Sequence, residues 1–206
     1  MKLTPLPIRR DEESHKYFWE PTGEMLAYST TQITGAGKDQ RALENIERTR
    51  PTWEPRGKHV HFCLEQYLKG EVIPDPGDYE EWVAPLLNHE FWNEFEPWAI
   101  EYMLCDRKKS VGGQLDVLGY DHKKKELVLL DLKTQSSIKA SRYNTDAQLG
   151  SYLHALIDHH QLAVENCRTI WARPGKTVIG PNQSVDDCGM AWLDAWERFK
   201  VLREEF

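Results

Sequence analysis

Apolar positions in this chain change period several times, and those changes divide it into elements. In residues 15–33, HKYFWEPTGEMLAYSTTQI, aromatic and β-branched residues stand on both sides of Pro-Thr-Gly-Glu, the mark of a short hairpin. The polar run 39–50 predicts a helix that stops before Pro51, because a proline pushes the residue ahead of it out of the helical region. In 54–70, EPRGKHVHFCLEQYLKG, Val60, Leu64, Tyr67 and Leu68 recur at three- and four-residue steps, and Gly70 can close the helix. A further helix is expected over Tyr79–Phe95, anchored by Trp82, Leu86 and Trp92. Three strands follow at 98–105, 111–120 and 126–133, the last two joined by a tight turn. After them come a helix over Tyr143–His159, a strand at 167–173 and an amphipathic helix over Asp186–Glu204 with Trp192, Trp196 and Phe199 on one side. The stretch 173–184, RPGKTVIGPNQS, reads as the longest loop.

The strand 126–133 changes this picture from a list of elements to an architecture. Leu127 and Leu129 lie on one face and Val128, Leu130 and Leu132 on the other, so it is apolar on both sides. Such a strand must be covered on both faces, which predicts an α/β protein with a mixed central β-sheet flanked by helices. At 206 residues and 40% hydrophobic, the chain fits one domain over 1–206, and neither a repeat nor an interdomain linker is evident. No apolar run approaches the ~20 residues of a membrane span, and MKLTPLPIRRDEE lacks a signal peptide's apolar segment. The expectation is a cytoplasmic or otherwise intracellular protein with no membrane partner. Cys63, Cys105, Cys167 and Cys188 lack the paired CxxC spacing of zinc and iron–sulfur sites and are read as reduced thiols.

A net charge of −7 argues against a protein that coats nucleic acid non-specifically. Basic residues are nevertheless grouped: Arg107, Lys108 and Lys109 precede the central hairpin, Lys123, Lys124 and Lys125 form its turn, and Lys139 with Arg142 follow it. Each group suits either a solvated loop or a local basic groove.

Candidate chemistry lies inside the hairpin, GGQLDVLGYDHKKKELVLLDLKTQ, where Asp116, Asp131 and Lys133 stand among apolar residues. A turn centred between Lys123 and Lys124 would oppose Tyr120 to Leu127, Leu118 to Leu129 and Asp116 to Asp131. Opposed Cβ atoms lie about 4.5–5.5 Å apart, so two carboxylates there repel unless positive charge sits between them. Lys133 falls two residues beyond Asp131, on the same face. Two readings follow: a divalent-metal site suited to phosphodiester hydrolysis, and a buried ion pair of Lys133 with one aspartate, which would leave the other carboxylate unpaired. A one-residue slip in register would separate the aspartates.

The pattern GGQLDVLG…VLLDLKT, a G-x-x-D strand followed by a D-x-K strand, resembles the PD-(D/E)XK nuclease superfamily, and its DLKT form is similar to the RecB-like branch. RGKHVHFCLEQYLKG resembles that branch's histidine-bearing helix, with His61 at the matching position. QLGSYLHAL resembles its Q-x-x-x-Y motif, with Gln148 and Tyr152 matched, and YSTTQI is similar to the segment before the histidine helix in phage-type and mitochondrial genome-maintenance exonucleases. These motifs span residues 28–152 and place the nuclease core at about 28–172, with a C-terminal helix at about 186–204.

The resemblance implies a restriction-endonuclease-like core, and a DNA exonuclease dependent on Mg²⁺ or Mn²⁺ that acts on single strands or DNA ends in recombination, repair or genome processing. Metal ligands would be His61, Asp116, Asp131 and the Leu132 carbonyl, with Lys133 serving the attacking water. Gln148, Tyr152, Lys139 and Arg142 would guide the strand, and Glu101 and Glu65 are second-tier acidic candidates near the metal. No helicase motif or P-loop is present, which suggests a stand-alone nuclease or one recruited by a separate helicase or recombination protein. The cysteine spacing departs from the branch's cluster-bearing members, and an iron–sulfur cluster is not expected. A phage-encoded source suits the same resemblance. A catalytically silent nucleic-acid-binding module and an RNA-directed nuclease remain the alternatives.

Overall fold

In the computed structural model, which describes residues 2–204, a six-stranded mixed β-sheet is sandwiched between helices. The N-terminal hairpin is present as β2 (Tyr17–Trp19) and β3 (Glu24–Met25), turning through Gly23 at φ 69°. A strand not anticipated from the sequence, β1 (Ile8–Arg10), pairs with β2 to complete a small antiparallel sheet. Next come β4 (Tyr28–Ser29) and the short α1 (Thr30–Gly35), whose first turn is capped by the Ser29 hydroxyl accepting from Gln32 N–H.

Two expected helices are one. Helix α2 (Gln40–Lys69) runs 30 residues through Pro51 and Pro55, from a cap on Asp39 to Gly70 at φ 71°. A proline removes one intrahelical donor and displaces the preceding carbonyls, which usually ends a helix. One turn ahead of the first proline the Trp53 indole N–H donates to the Ile46 carbonyl at 3.1 Å and the Thr49 hydroxyl to the Asn45 carbonyl at 2.8 Å.

The helix expected over Tyr79–Phe95 is shorter. Helix α3 (Glu80–Leu87) stops at Asn88, His89 is extended with its ring accepting from Phe91 N–H, and a 3₁₀ turn (Glu90–Glu94) leads directly into a strand. That strand, β5 (Phe95–Asp106), continues through β6 (Val111–Asp121) and β7 (Glu126–Thr134) as an antiparallel meander. Helix α4 (Asp146–His160) starts three residues later than expected and crosses to β8 (Asn166–Arg173), which runs parallel to β7. The expected loop 173–184 contains a strand, β9 (Lys176–Ile179), paired with β8 through a turn at Gly175. Helix α5 (Val185–Glu204) ends the described chain.

The double-sided apolar character of β7 is satisfied as the pattern requires. On one face Leu127 and Leu129 pack with Leu149, Leu153 and Leu156 of α4. On the other, Val128, Leu130 and Leu132 meet Val60, Cys63 and Leu64 of α2 and Val83 and Leu86 of α3. Helix α5 seals a third cluster around Trp192 and Phe199.

Strand β6 has a feature that makes the site. Its β5 edge is paired from Phe95↔Asp121 down to Cys105↔Gly112 and Asp106↔Val111, with a register shift between Pro97 and Ala99. Its other edge pairs with β7 only as far as Val117↔Leu130. Beyond that, β4 joins this same edge at Tyr28↔Val111 and Ser29↔Gly112. Residues 113–116 are left facing an interruption in the sheet, with a ladder on either side of it. Close packing fills one end of the interruption: a Cβ on Gly112 would lie 2.4 Å from the Tyr17 ring, and one on Gly113 2.7 Å from the Thr30 hydroxyl.

Candidate metal and hydrolytic site

The hairpin register matches the sequence expectation, with Leu118 opposite Leu129 and Tyr120 opposite Leu127. The backbone pairing stops one step short of the aspartates. Instead of a cross-strand carboxylate pair held by the ladder, the Asp116 side chain reaches over and its Oδ2 accepts the Leu132 N–H at 2.5 Å. A ladder donor is thereby satisfied by a carboxylate, which anchors Asp116 at the interruption.

His61 comes from α2, and the Leu132 carbonyl orients it. The ring Nε2 lies 3.2 Å from that oxygen, which can only accept, so Nε2 carries the hydrogen and Nδ1 is turned toward the carboxylates. Nδ1 lies 3.1 Å from Glu101 Oε1 and 3.5 Å from Asp116 Oδ1. Glu101 reaches this position from β5 in an unusual backbone state. It stands opposite Asp116, between the pairs Ile100↔Val117 and Tyr102↔Leu115, with φ at 45°. A left-handed residue of this kind inside a strand costs on the order of 1–3 kcal/mol and is retained where the surroundings over-determine it. His61, Glu101 and Asp116 each offer one ligand atom, and these atoms lie within 4.8 Å of one another.

A second group stands beside this triad. Asp131 is fully buried, and its Oδ1 and Oδ2 lie 3.0 and 2.9 Å from Lys133 Nζ. Lys133 also donates to Gln148 Oε1 at 3.0 Å, and the Gln148 amide donates to the Tyr152 hydroxyl at 3.0 Å. The four-residue spacing of Gln148 and Tyr152 on α4 thus becomes a relay from the helix to the lysine.

Three carboxylates converge here with one lysine and one histidine, and the electrostatics follow. Burial works against charge on His61, but Asp116 and Glu101 outweigh it and raise the imidazole to about 9. Burial raises Asp131 to about 6, with Lys133 opposing the shift, and burial likewise raises Asp116. Lys133 is pushed above the ordinary lysine value: burial disfavours its charge, and Asp131 and Asp116 override that. It is an ammonium at neutral pH, a donor and a positive charge rather than a proton acceptor. The donor set of one imidazole and two carboxylate oxygens, with net negative charge nearby, suits a divalent cation.

The sequence expectations divide accordingly. His61, Asp116, Asp131, Lys133, Gln148 and Tyr152 are brought together, and His61 and Asp116 surround one small volume with Glu101. Glu101 belongs to the ligand triad itself, in a more central place than expected, whereas Asp131 is engaged by Lys133. Both backbone groups of Leu132 are taken, the N–H by Asp116 and the carbonyl by His61. Glu65 is turned away and pairs with Lys69 at 2.6 Å. Lys139 and Arg142 lie on an exposed segment held through its backbone by Arg173, which donates to the Ile138 and Ala140 carbonyls at 3.1 and 2.8 Å. They do not line the cleft.

That cleft has a volume of about 1470 Å³, and His61, Glu101, Asp116 and Lys133 form part of its wall. Besides the site residues just named, its charged residues are Arg10, Lys38, Arg198, Asp194 and Glu197, and its exposed aromatics are Trp53, 37% exposed, and Tyr143, 55% exposed. None of these was singled out from the sequence, because they come from β1, the α1–α2 connection, α2, α5 and the segment before α4, and only the fold assembles them. Gln114 was within reach: it sits two residues before Asp116 and therefore on the same strand face.

No helix of the described residues is long and apolar enough to cross a membrane. No family model matches the chain, and no curated protein matches it. Among solved structures the chain is similar to the crystal structure of SSO0001, at 14% identity and a TM-score of 0.47, over 84% of this chain and 75% of that one.

Proposed function

We propose that this protein is a metal-dependent nuclease of the PD-(D/E)XK type, hydrolysing phosphodiester bonds in DNA and acting from single-stranded ends. The observation that carries the reading is the convergence of His61 Nδ1, Glu101 Oε1 and Asp116 Oδ1 in a cleft wall, with the Lys133 ammonium beside them. His61, Glu101 and Asp116 would hold Mg²⁺ or Mn²⁺, with Asp131 adding negative charge. Such a cation, when bound, polarises a phosphate and lowers the pKa of a coordinated water.

The chain's own groups supply the rest. Asp131 and Gln148 fix two of the hydrogen-bond directions of Lys133, so its remaining proton can be aimed at the attacking water or at a phosphate oxygen gaining charge. Because the amine is protonated, it orients and stabilises rather than deprotonates. Arg10, Lys38 and Arg198 are cations of the cleft wall that can pair with individual phosphates, and Trp53 and Tyr143 offer faces on which unpaired bases stack.

End-labelled single-stranded DNA digested with Mg²⁺, Mn²⁺ or EDTA, using wild type beside Lys133→Ala, tests this. Metal-dependent shortening that disappears in the variant supports the nuclease, and the label released first gives its polarity. A strand that is bound but left whole under every metal replaces it with a nucleic-acid-binding module, and preference for the ribo-oligonucleotide replaces DNA with RNA.

A further inference from the structure

In each carboxylate of the triad one oxygen faces His61 Nδ1 and the other is held elsewhere by the protein. Glu101 Oε2 accepts from Gln114 Nε2 at 2.7 Å, and Asp116 Oδ2 accepts from Leu132 N–H. These bonds resist turning either carboxylate to present both oxygens to one ion. What remains is a single-atom donor from each of Glu101, Asp116 and His61.

Gln114 does more than occupy one oxygen. The same amide nitrogen lies 3.3 Å from the Glu101 main-chain carbonyl, so it grips the residue at both its backbone and its side chain. Glu101 is the strand residue at φ 45°, whose position depends on such outside contacts. The other end of the amide is held in turn, with Gln114 Oε1 lying 3.5 Å from Arg10 Nη1.

Ligand count and ligand type separate divalent ions. Calcium gathers about six to eight oxygens at roughly 2.3–2.6 Å and readily takes carboxylates by both oxygens. A set of one imidazole and two single carboxylate oxygens, with the other positions left to water or substrate, suits a smaller six-coordinate ion and most of all one that accepts nitrogen, such as Mn²⁺. Resting on the metal reading proposed above, we infer that Gln114 is a positioning residue that limits Glu101 to one-oxygen ligation and so makes the centre prefer Mn²⁺ over Ca²⁺.

The test is calorimetric titration of MnCl₂ and CaCl₂ into the full chain, as wild type and as Gln114→Leu, which removes the amide at similar size. Wild type should bind Mn²⁺ the more tightly, and the variant should narrow that preference by roughly tenfold or more, in the range typical of outer partners of metal ligands. Gln114→Asn, whose shorter amide cannot span the same gap, provides the same ratio if the leucine variant does not fold. A preference that stays constant while both affinities fall together marks a merely structural residue and overturns the inference, as does a preference unchanged in every respect. A wild type that binds Mn²⁺ while the variants keep its preference removes this inference alone. A wild type that binds neither ion removes the metal reading with it.

Discussion

The two ends of the β6–β7 hairpin are built from the same pair of strands and behave as opposites. At the turn end, Val117–Asp121 and Glu126–Leu130 form an unbroken ladder, with Leu118, Leu129 and Leu130 at most 1% exposed and apolar layers on both faces. At the other end the ladder is interrupted, Asp116 and Asp131 take the places that Leu118 and Leu129 occupy one pleat nearer the turn, and Lys133 follows Asp131 by a further pleat. Regular pairing at one end fixes the register, and the lost pairing at the other frees Leu132 N–H and opens the space in which His61 and Asp116 meet. A rigid ladder and a gap are therefore two parts of one device, and each should fail in its own way.

The largest expected effect is on the ladder. Leu129→Ala should lower unfolding stability by about 2–5 kcal/mol, as for other buried leucines, measured by chemical denaturation. Metal affinity of the folded fraction should be unchanged; a variant of normal stability that no longer binds metal would erase the distinction between the two ends. At the gap, Lys133→Ala should reduce strand cleavage by roughly 10²–10³-fold, the scale for losing one preorganised donor, while Mn²⁺ affinity stays within a few-fold. Cleavage at the wild-type rate would take Lys133 out of the chemistry.

The pH dependence sharpens the comparison, since His61, Asp116 and Asp131 at the gap end are all shifted upward. His61 is raised to about 9 and must lose its proton before Nδ1 can ligate, so Mn²⁺ affinity should climb by about tenfold per pH unit between 6.5 and 9. In the metal-free chain the sign is reversed. A raised folded-state value stabilises fully below the ordinary histidine value of 6.5, and that contribution disappears as pH rises through about 9. Titration calorimetry across this window checks the first statement, and affinity independent of pH would place the ion elsewhere. Smallest of all, Glu65→Ala removes an exposed pair with Lys69 and should change stability by no more than about 0.5 kcal/mol and metal affinity not at all. A loss of metal binding there would put Glu65 back in the site.

Much of this was legible in the chain because it depends on local rules. The turn at Lys123–Lys124 and the two-residue period of a strand were enough to put Asp116, Asp131 and Lys133 on one face, and helical spacing was enough to pair Gln148 with Tyr152. What stayed hidden depends on other elements. Nothing in the sequence marks Glu101 for a left-handed backbone, which stands in the structure with Gln114 bonded to it from the neighbouring strand. Pro51 and Pro55 signal a break, yet helix α2 runs through both, and the β-branched Thr177, Val178 and Ile179 of β9 were hidden among the turn formers Pro174, Gly175, Gly180 and Pro181. Lys139 and Arg142 looked suited to the substrate because they follow the catalytic strand closely, but the Arg173 contacts hold that segment outside the cleft.

Leu132 contributes to the site through its peptide groups alone, the N–H to Asp116 and the carbonyl to His61, while its side chain is buried on the α2 side of the sheet. Two sets of demands on one position are thereby separated. Random mutation can exchange the leucine for another apolar residue of similar size, at a packing cost only, without deleting either contact. Among the twenty residues proline alone takes away the N–H, so this pair of contacts is inherited with the backbone and is nearly immune to drift at the codon that encodes it.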